Sequence, residues 1–188
     1  MMDLQGPSWK GRWAASPSGA DFQAIVSAMV ALKGADVTRA WLDGMKTNST
    51  AYQGNTTVMK AVNAGEIPAG VIYHYYWYGD RAESGASSKN VELYHWMGKD
   101  PGGFVSVSGG GVLASSKYPV EAQKLLAFIV SQQGQQLLAE SSKEYAVAIG
   151  APSHPSLKPL SELDPPTVNL SNLNAPLVIQ LMQQAGLL

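Results

Sequence analysis

Val71-Ile72-Tyr73-His74-Tyr75-Tyr76-Trp77-Tyr78 is the stretch on which the fold turns: an apolar run passes directly into a cluster of phenols. In a regular strand successive side chains point to opposite faces, so Tyr75 and Tyr76 would diverge. For both to serve one site, the strand must end near Tyr73 and the backbone must turn, most simply into a helix. Two adjacent phenols at such a turn can converge on one hard cation. A phenol titrates near pH ~10 in water, so only a strong Lewis acid holds it as phenolate at neutral pH. Ferric iron is such an ion and prefers oxygen donors. A buried aromatic strand with satisfied hydroxyls accounts for the same residues, and these eight positions alone leave both possibilities open.

Outward from this stretch, strand and helix signals alternate. The strand begins near Ala69. Before it, Asn55 reads as the N-cap of a short helix carrying Val58, Ala61 and Val62 and closed by Gly65. Nearer the start, Trp13-Ala14-Ala15 reads as a strand and Ser16-Pro17-Ser18-Gly19 as a turn. Phe22, Ile25, Val26 and Met29 then share one helical face that Gly34 ends. A helix is expected over Asp36 to Lys46, with Val37, Trp41 and Met45 stacked and Asn48-Ser49-Thr50 breaking it. After Tyr78 a helix of two or three turns should fade at Ser84 to Ser88. Strands are expected at Val91 to Trp96 and Phe104 to Val107. A helix opening at Pro119 follows, with a second from Gln133 to Ala139. Residues 150 to 173 are proline-rich and irregular, and Asn174 caps a last helix bearing Val178, Leu181, Met182 and Ala185. The alternation predicts an α/β fold with helices on the faces of a sheet. Ligands on such folds gather beyond the carboxyl ends of the strands. The loops Ser16 to Ala20, Gly54 to Thr57 and Tyr73 to Tyr78 qualify.

Bulk properties exclude several functions. The 188 residues are 45% apolar and only 14% charged, with a net charge of −1. No basic field exists to neutralise nucleic-acid phosphates. No run is long enough to span a membrane, and Met1-Met2-Asp3-Leu4 lacks the basic and apolar regions of a signal sequence. Cysteine is absent, which removes disulfides, thiolate metal sites and cysteine catalysis. The histidines His74, His95 and His154 have no zinc spacing, and no G-x-S-x-G, G-x-G-x-x-G or P-loop pattern occurs. Gly109-Gly110-Gly111 has no nucleophile beside it and reads as a hinge or a tight crossing. Glu66 and Asp80 read as solvated charges. No enzyme is expected. The helix starts at Ser18-Gly19-Ala20 and Asn55-Thr56-Thr57 offer free amides to an anion, although capping alone explains either one.

Trp9-Lys10-Gly11-Arg12, Ser18-Gly19-Ala20, Ala40-Trp41-Leu42, Gly65-Glu66-Ile67, Tyr75-Tyr76-Trp77, Asp100-Pro101-Gly102, Ser108-Gly109 and Glu144-Tyr145 run nearly the length of the chain. Together they resemble the periplasmic ferric-ion-binding proteins, the substrate-binding components of iron(III) ABC importers, with a type II periplasmic-binding-protein fold. The tyrosine pair after the G-E-I-x-x-G strand is the specific part. The resemblance implies Fe(III) held by Tyr75 and Tyr76. It implies a synergistic anion, phosphate or carbonate, held by Ser18, Gly19, Ala20 and Asn55, and a permease as partner. Where the family often has asparagine before the pair, Tyr73 and His74 stand here, as candidate outer partners that alter the anion or the affinity. Ala146 replaces a usual proline after Glu144-Tyr145.

The same resemblance implies a longer relative, periplasmic or extracellular and membrane-associated, with a signal sequence and most of a first lobe ahead of this chain. On that basis residues 1–105 plus 157–188 are the second, C-terminal lobe, a mixed sheet flanked by helices. Residues 106–156 are an incomplete segment of the first. Leu125, Leu126, Ile129, Leu137 and Leu138 would then be exposed and invite self-association through 106–156. A binding protein for a phosphorylated or other anionic organic ligand is the alternative, with the tyrosines stacking on the ligand.

Overall fold

A three-stranded sheet of order β2-β1-β3 organises the fold, and all its pairings are parallel. The computed structural model describes all 188 residues, Met1–Leu188. The strands are short: β1 (Trp13–Ala15), β2 (Ser49–Ala51) and β3 (Ala69–Gly70). β1 is the centre, pairing Ala14 with Thr50 on one side and with Gly70 on the other. Helices connect the strands, as parallel pairing requires. α1 (Ala20–Lys33) and α2 (Ala35–Asn48) lie between β1 and β2, and α3 (Asn55–Asn63) lies between β2 and β3. α4 (His74–Glu83) follows β3. The remaining helices are α5 (Pro119–Ile129), α6 (Gln132–Ser142) and α7 (Ala175–Gln184). No helix is long and apolar enough to cross a membrane.

Strand alternation sorts the core. Trp13 and Ala15 face one side, where they meet Phe22, Ile25, Val26 and Met29 of α1, Trp41, Leu42 and Met45 of α2, and Val178, Leu181 and Met182 of α7. Ala14 faces the other side and packs with Val58 of α3 and Ile67. The two buried indoles lie 5.8 Å apart between ring centroids. Each finds a carbonyl for its N–H: Trp13 Nε1 donates to the Leu4 oxygen at 3.0 Å and Trp41 Nε1 to the Met1 oxygen at 3.3 Å. Gly70 exists for clearance, since a Cβ there would meet Val58 Cγ1 at 2.4 Å.

The α/β class agrees with expectation, but four details differ. The sheet is parallel, not mixed. Residues 91–96 and 104–107 form no ladder. Side-chain contacts hold the first of these instead: Trp77 Nε1 donates to the Val91 oxygen at 2.9 Å, and the Trp96 ring covers Gly102. β2 lies where a helix break and loop were expected, because Ser49-Thr50-Ala51 shows no apolar alternation and is made a strand by its ladder with β1. Asn55 is the first helical residue of α3 and not its cap; Gly54 takes the cap position at φ +143°, a conformation open to glycine.

Two compact units partition the chain, Met1–Ser106 with Leu160–Leu188, and Val107–Pro159. The sheet and α1 to α4 belong to the first. In the second, Ser131 caps α6 by accepting from the Gly134 N–H at 3.1 Å. Gln135 Nε2 donates to the Ile129 oxygen, and its Oε1 accepts from the Val147 N–H. Leu125, Phe128, Leu137 and Leu138 are exposed there, while Leu126 and Ile129 are half-buried.

Candidate functional site

Each parallel strand leaves the sheet at its carboxyl end and turns directly into a helix: β1 into α1, β2 into α3 and β3 into α4. The first amides of a helix have no intrahelical acceptor. None of these three helices has a side-chain cap, whereas Ser131 caps α6 and Asn174 caps α7. Three uncapped helix starts at one sheet edge make an electropositive rim of N–H groups.

The rim closes around a carboxylate absent from the sequence-based site. Asp21, second residue of α1, accepts from Tyr75 Oη at 2.9 Å on Oδ1 and 2.8 Å on Oδ2. Its Oδ2 also accepts from Tyr76 Oη at 3.1 Å and from Asn55 Nδ2 at 2.8 Å. One residue from α1, one from α3 and two from α4 therefore meet at a single oxygen. Tyr75 and Tyr76 achieve this because the backbone changes from extended at Tyr73 (ψ 151°) to helical at His74. Their rings lie 4.5 Å apart at 31°. α4 is anchored by the Trp77 contact to Val91, and Arg81, one turn on in the same helix, places its guanidinium 5.0 Å from the Trp77 ring centre.

The remaining sequence-derived site residues fall into place unevenly. Asn55 is buried, and the amide expected for an anion is engaged by Asp21. Ser18 and Ala20 are exposed at the start of α1. The Ser18 carbonyl accepts from Gln23 Nε2 at 3.2 Å, and Gly19 closes the preceding turn through its N–H to the Ser16 oxygen at 3.1 Å. His74 meets the rings of Tyr75 and Tyr78 edge-on at 5.9 and 6.0 Å. Tyr73 packs against the main core and lies 6.1 Å from the Tyr75 ring. Its hydroxyl is buried without a well-formed hydrogen bond, Ser106 being the nearby hydroxyl. Asp80 is more than a solvated charge: it accepts from the Ser87 N–H and, at 2.6 Å, from Ser88 Oγ, organising the turn after α4. Those bonds, that of Ser88 first, hold its carboxyl below the usual range.

Burial, then hydrogen bonding to Tyr76 and Asp21, pushes the Tyr75 phenol well above its ordinary range. Burial and the Asp21 charge push Tyr73 up to about 12. Both effects favour the neutral phenol. The site thus holds two phenol hydroxyls that both donate to one carboxylate.

Residues 1–136 match the family described as bacterial extracellular solute-binding protein. The chain belongs to that family. Among relatives of these solute-binding proteins, the Fe(3+)-binding periplasmic protein of Serratia marcescens is 58% identical over 189 residues, covering 100% of this chain and 56% of the relative. The major ferric iron-binding protein of Neisseria meningitidis serogroup B is 34% identical, covering 100% of this chain and 57% of the relative. The crystal structure of iron-bound HitA from Pseudomonas aeruginosa superposes with a TM-score of 0.92 at 40% identity, over 98% of this chain and 60% of that one. The chain thus spans somewhat more than half the length of the relatives it matches. Family membership agrees with the expectation of a binding protein and not an enzyme.

Asp21 is the residue that sequence reasoning missed. Its one signal was an acid two positions beyond the Ser18-Gly19 turn, where an acid is ordinary at a helix start.

Proposed function

We propose that this solute-binding chain holds ferric iron through the phenolates of Tyr75 and Tyr76. A small anion such as phosphate or carbonate sits on the free amides of α1 and α3, beside Ser18, Gly19, Ala20 and Asn55. The observation that carries this is the meeting of both phenol oxygens at one point on the carboxyl edge of the sheet. Two relatives named for ferric iron, at 58% and 34% identity, support it. Burial and hydrogen bonding favour the protonated phenol at Tyr75, so a weak Lewis acid does not displace its proton, while a trivalent, oxygen-preferring ion does. Binding releases the two phenol protons to solvent and leaves the ion unchanged.

The same proposal makes residues 1–105 with 157–188 the second lobe of a periplasmic receptor that delivers its ion to an ABC permease, and assigns 106–156 to the first lobe. The two compact units and the 56% coverage of the Serratia relative support this division.

A visible absorption titration with chelated Fe(III), with and without phosphate, tests the phenolate site. Tyrosinate on ferric iron gives a charge-transfer band that neither partner has alone. The band should appear with this chain and vanish in Tyr75→Phe/Tyr76→Phe. Its absence at every iron level refutes the proposal and turns attention to phosphorylated organic ligands.

A further inference from the structure

We infer that Tyr73 is a positioning residue of the proposed iron site: when iron binds, its hydroxyl donates to Ser106 and latches the start of α4 to the last residue before the second compact unit. The inference rests on the proposed phenolate site and adds to it a residue that does not touch the ion. Tyr73 is the last extended residue, ψ 151°, before the helix that carries Tyr75 and Tyr76. Its ring is held twice, by the main core and by the Tyr75 ring at 6.1 Å. Its Oη is buried with no hydrogen-bond partner. A buried donor without an acceptor costs more than an ordinary hydrogen bond gains, so a small movement that supplies one is favoured.

Two groups act on this phenol, Asp21 through its charge and Ser106 through its hydroxyl. Asp21 already accepts from Tyr75, Tyr76 and Asn55. Ser106 is exposed, two residues past the buried Phe104, in a stretch without a ladder. It has room to move, whereas the Tyr73 ring is packed. Iron gives the movement a cause. Replacing two phenol protons by one ion breaks the hydrogen bonds from Tyr75 and Tyr76 to Asp21 and redraws the pair around the metal. The first turn of α4 shifts with the pair. Tyr73, one residue before that turn and in ring contact with Tyr75, carries the shift to Ser106. A bond made only in the iron-bound state adds its whole free energy to iron affinity. The occupied site thereby fixes the backbone at residue 106, where the chain passes into Val107–Pro159.

The test uses Tyr73→Phe, Ser106→Ala and the double variant. It reads iron affinity by citrate competition, the wavelength of the charge-transfer band and the urea midpoint of the iron-free chain. Each single variant should lower iron affinity by about two- to tenfold, the worth of one hydrogen bond, and the double variant should lose no more than either. Ser106→Thr, which keeps the hydroxyl, should bind iron as the unsubstituted chain does. The band should stay at its wavelength throughout. The urea midpoint of iron-free Tyr73→Phe should be unchanged or higher, because the orphan donor is gone. Unchanged affinity in both single variants, or losses that add in the double variant, overturns the latch while the tyrosine site stands. So does a lower iron-free midpoint in Tyr73→Phe, which reduces the residue to packing, or a shifted band, which makes it an iron ligand. No band in the unsubstituted chain overturns the phenolate site and the latch together.

Discussion

Gly70→Ala places a methyl where the structure has no room, and the cost can be worked out. The added Cβ would lie 2.4 Å from Val58 Cγ1 and 3.3 Å from Val62 Cγ2. Carbon atoms rest at about 3.5–4.0 Å, so a gap of more than about 1 Å must open. Val58 cannot yield cheaply, because it is fully buried and a β-branched side chain in a helix has one strongly preferred rotamer. The relief must come from separation of α3 and β3. Overpacking of this kind costs about 1–3 kcal/mol, and the entropy lost by the unfolded chain returns about 0.4–1 kcal/mol. A net loss of about 1–2 kcal/mol should appear as a lower urea midpoint at unchanged slope. Val58→Ala alone removes two buried methyl groups and should cost about 2 kcal/mol. The double variant should cost no more than Val58→Ala alone, because the new methyl enters the space vacated, giving a favourable coupling of about 1–2 kcal/mol. Simple additivity, or a neutral Gly70→Ala, refutes the packing argument. Gly70 is three residues before Tyr73, so the same single variant should also weaken iron binding, and Val58→Ala should restore it.

Other outcomes follow from features already described. Asn174→Ala should destabilise by about 1 kcal/mol, because its side chain accepts from the Leu177 N–H, whereas Ser18→Ala, which caps nothing, should leave stability unchanged and weaken only anion-dependent iron binding in the titration. Tyr73 has a folded pKa of about 12 against ~10 unfolded, so its contribution to stability is complete below pH ~10 and is lost as pH rises through about 12. Spectrophotometric titration should show Tyr73 and Tyr75 ionising after the exposed tyrosines, and denaturation midpoints measured across that window should fall more in the parent than in Tyr73→Phe. Trp77→Phe removes the bond to the Val91 oxygen and should cost about 1 kcal/mol by urea denaturation, with a weaker charge-transfer titration because α4 loses an anchor.

How much was legible in the sequence depended on whether the signal was local. The faces of α1 and α7, and Trp41 and Met45 of α2, follow from apolar residues three and four apart, since a helix packs by its own periodicity; Val37, expected on the same α2 face, is exposed, and Leu42 joins the core instead. The turn into a helix at Tyr73 was legible as a requirement for two adjacent phenols to converge. β2 was not, because three small residues, Ser49, Thr50 and Ala51, become a strand only when a neighbour supplies the ladder. Val91 to Trp96 misled for the converse reason: β-prone residues without a partner strand are held by side-chain contacts instead. Asp21 was hidden because its hydrogen-bond partner Tyr75 lies 54 positions away, and only the sheet brings the two together.

The meeting point of Asp21, Asn55, Tyr75 and Tyr76 has a consequence for the life of the apo protein. Each of the three strand-to-helix units contributes to it, so the ion proposed for this site would act as a clasp across the whole sheet. Anything that binds only the folded state raises its stability by RT ln(1 + [L]/Kd), about 2.7 kcal/mol at a hundredfold excess over Kd. Residues 107–159 contribute none of the four groups, so the clasp tightens one compact unit of the chain and not the other. Under the proposed ferric site, iron depletion leaves this unit in its less stable, more protease-sensitive form, so limited proteolysis should be slower with iron than without.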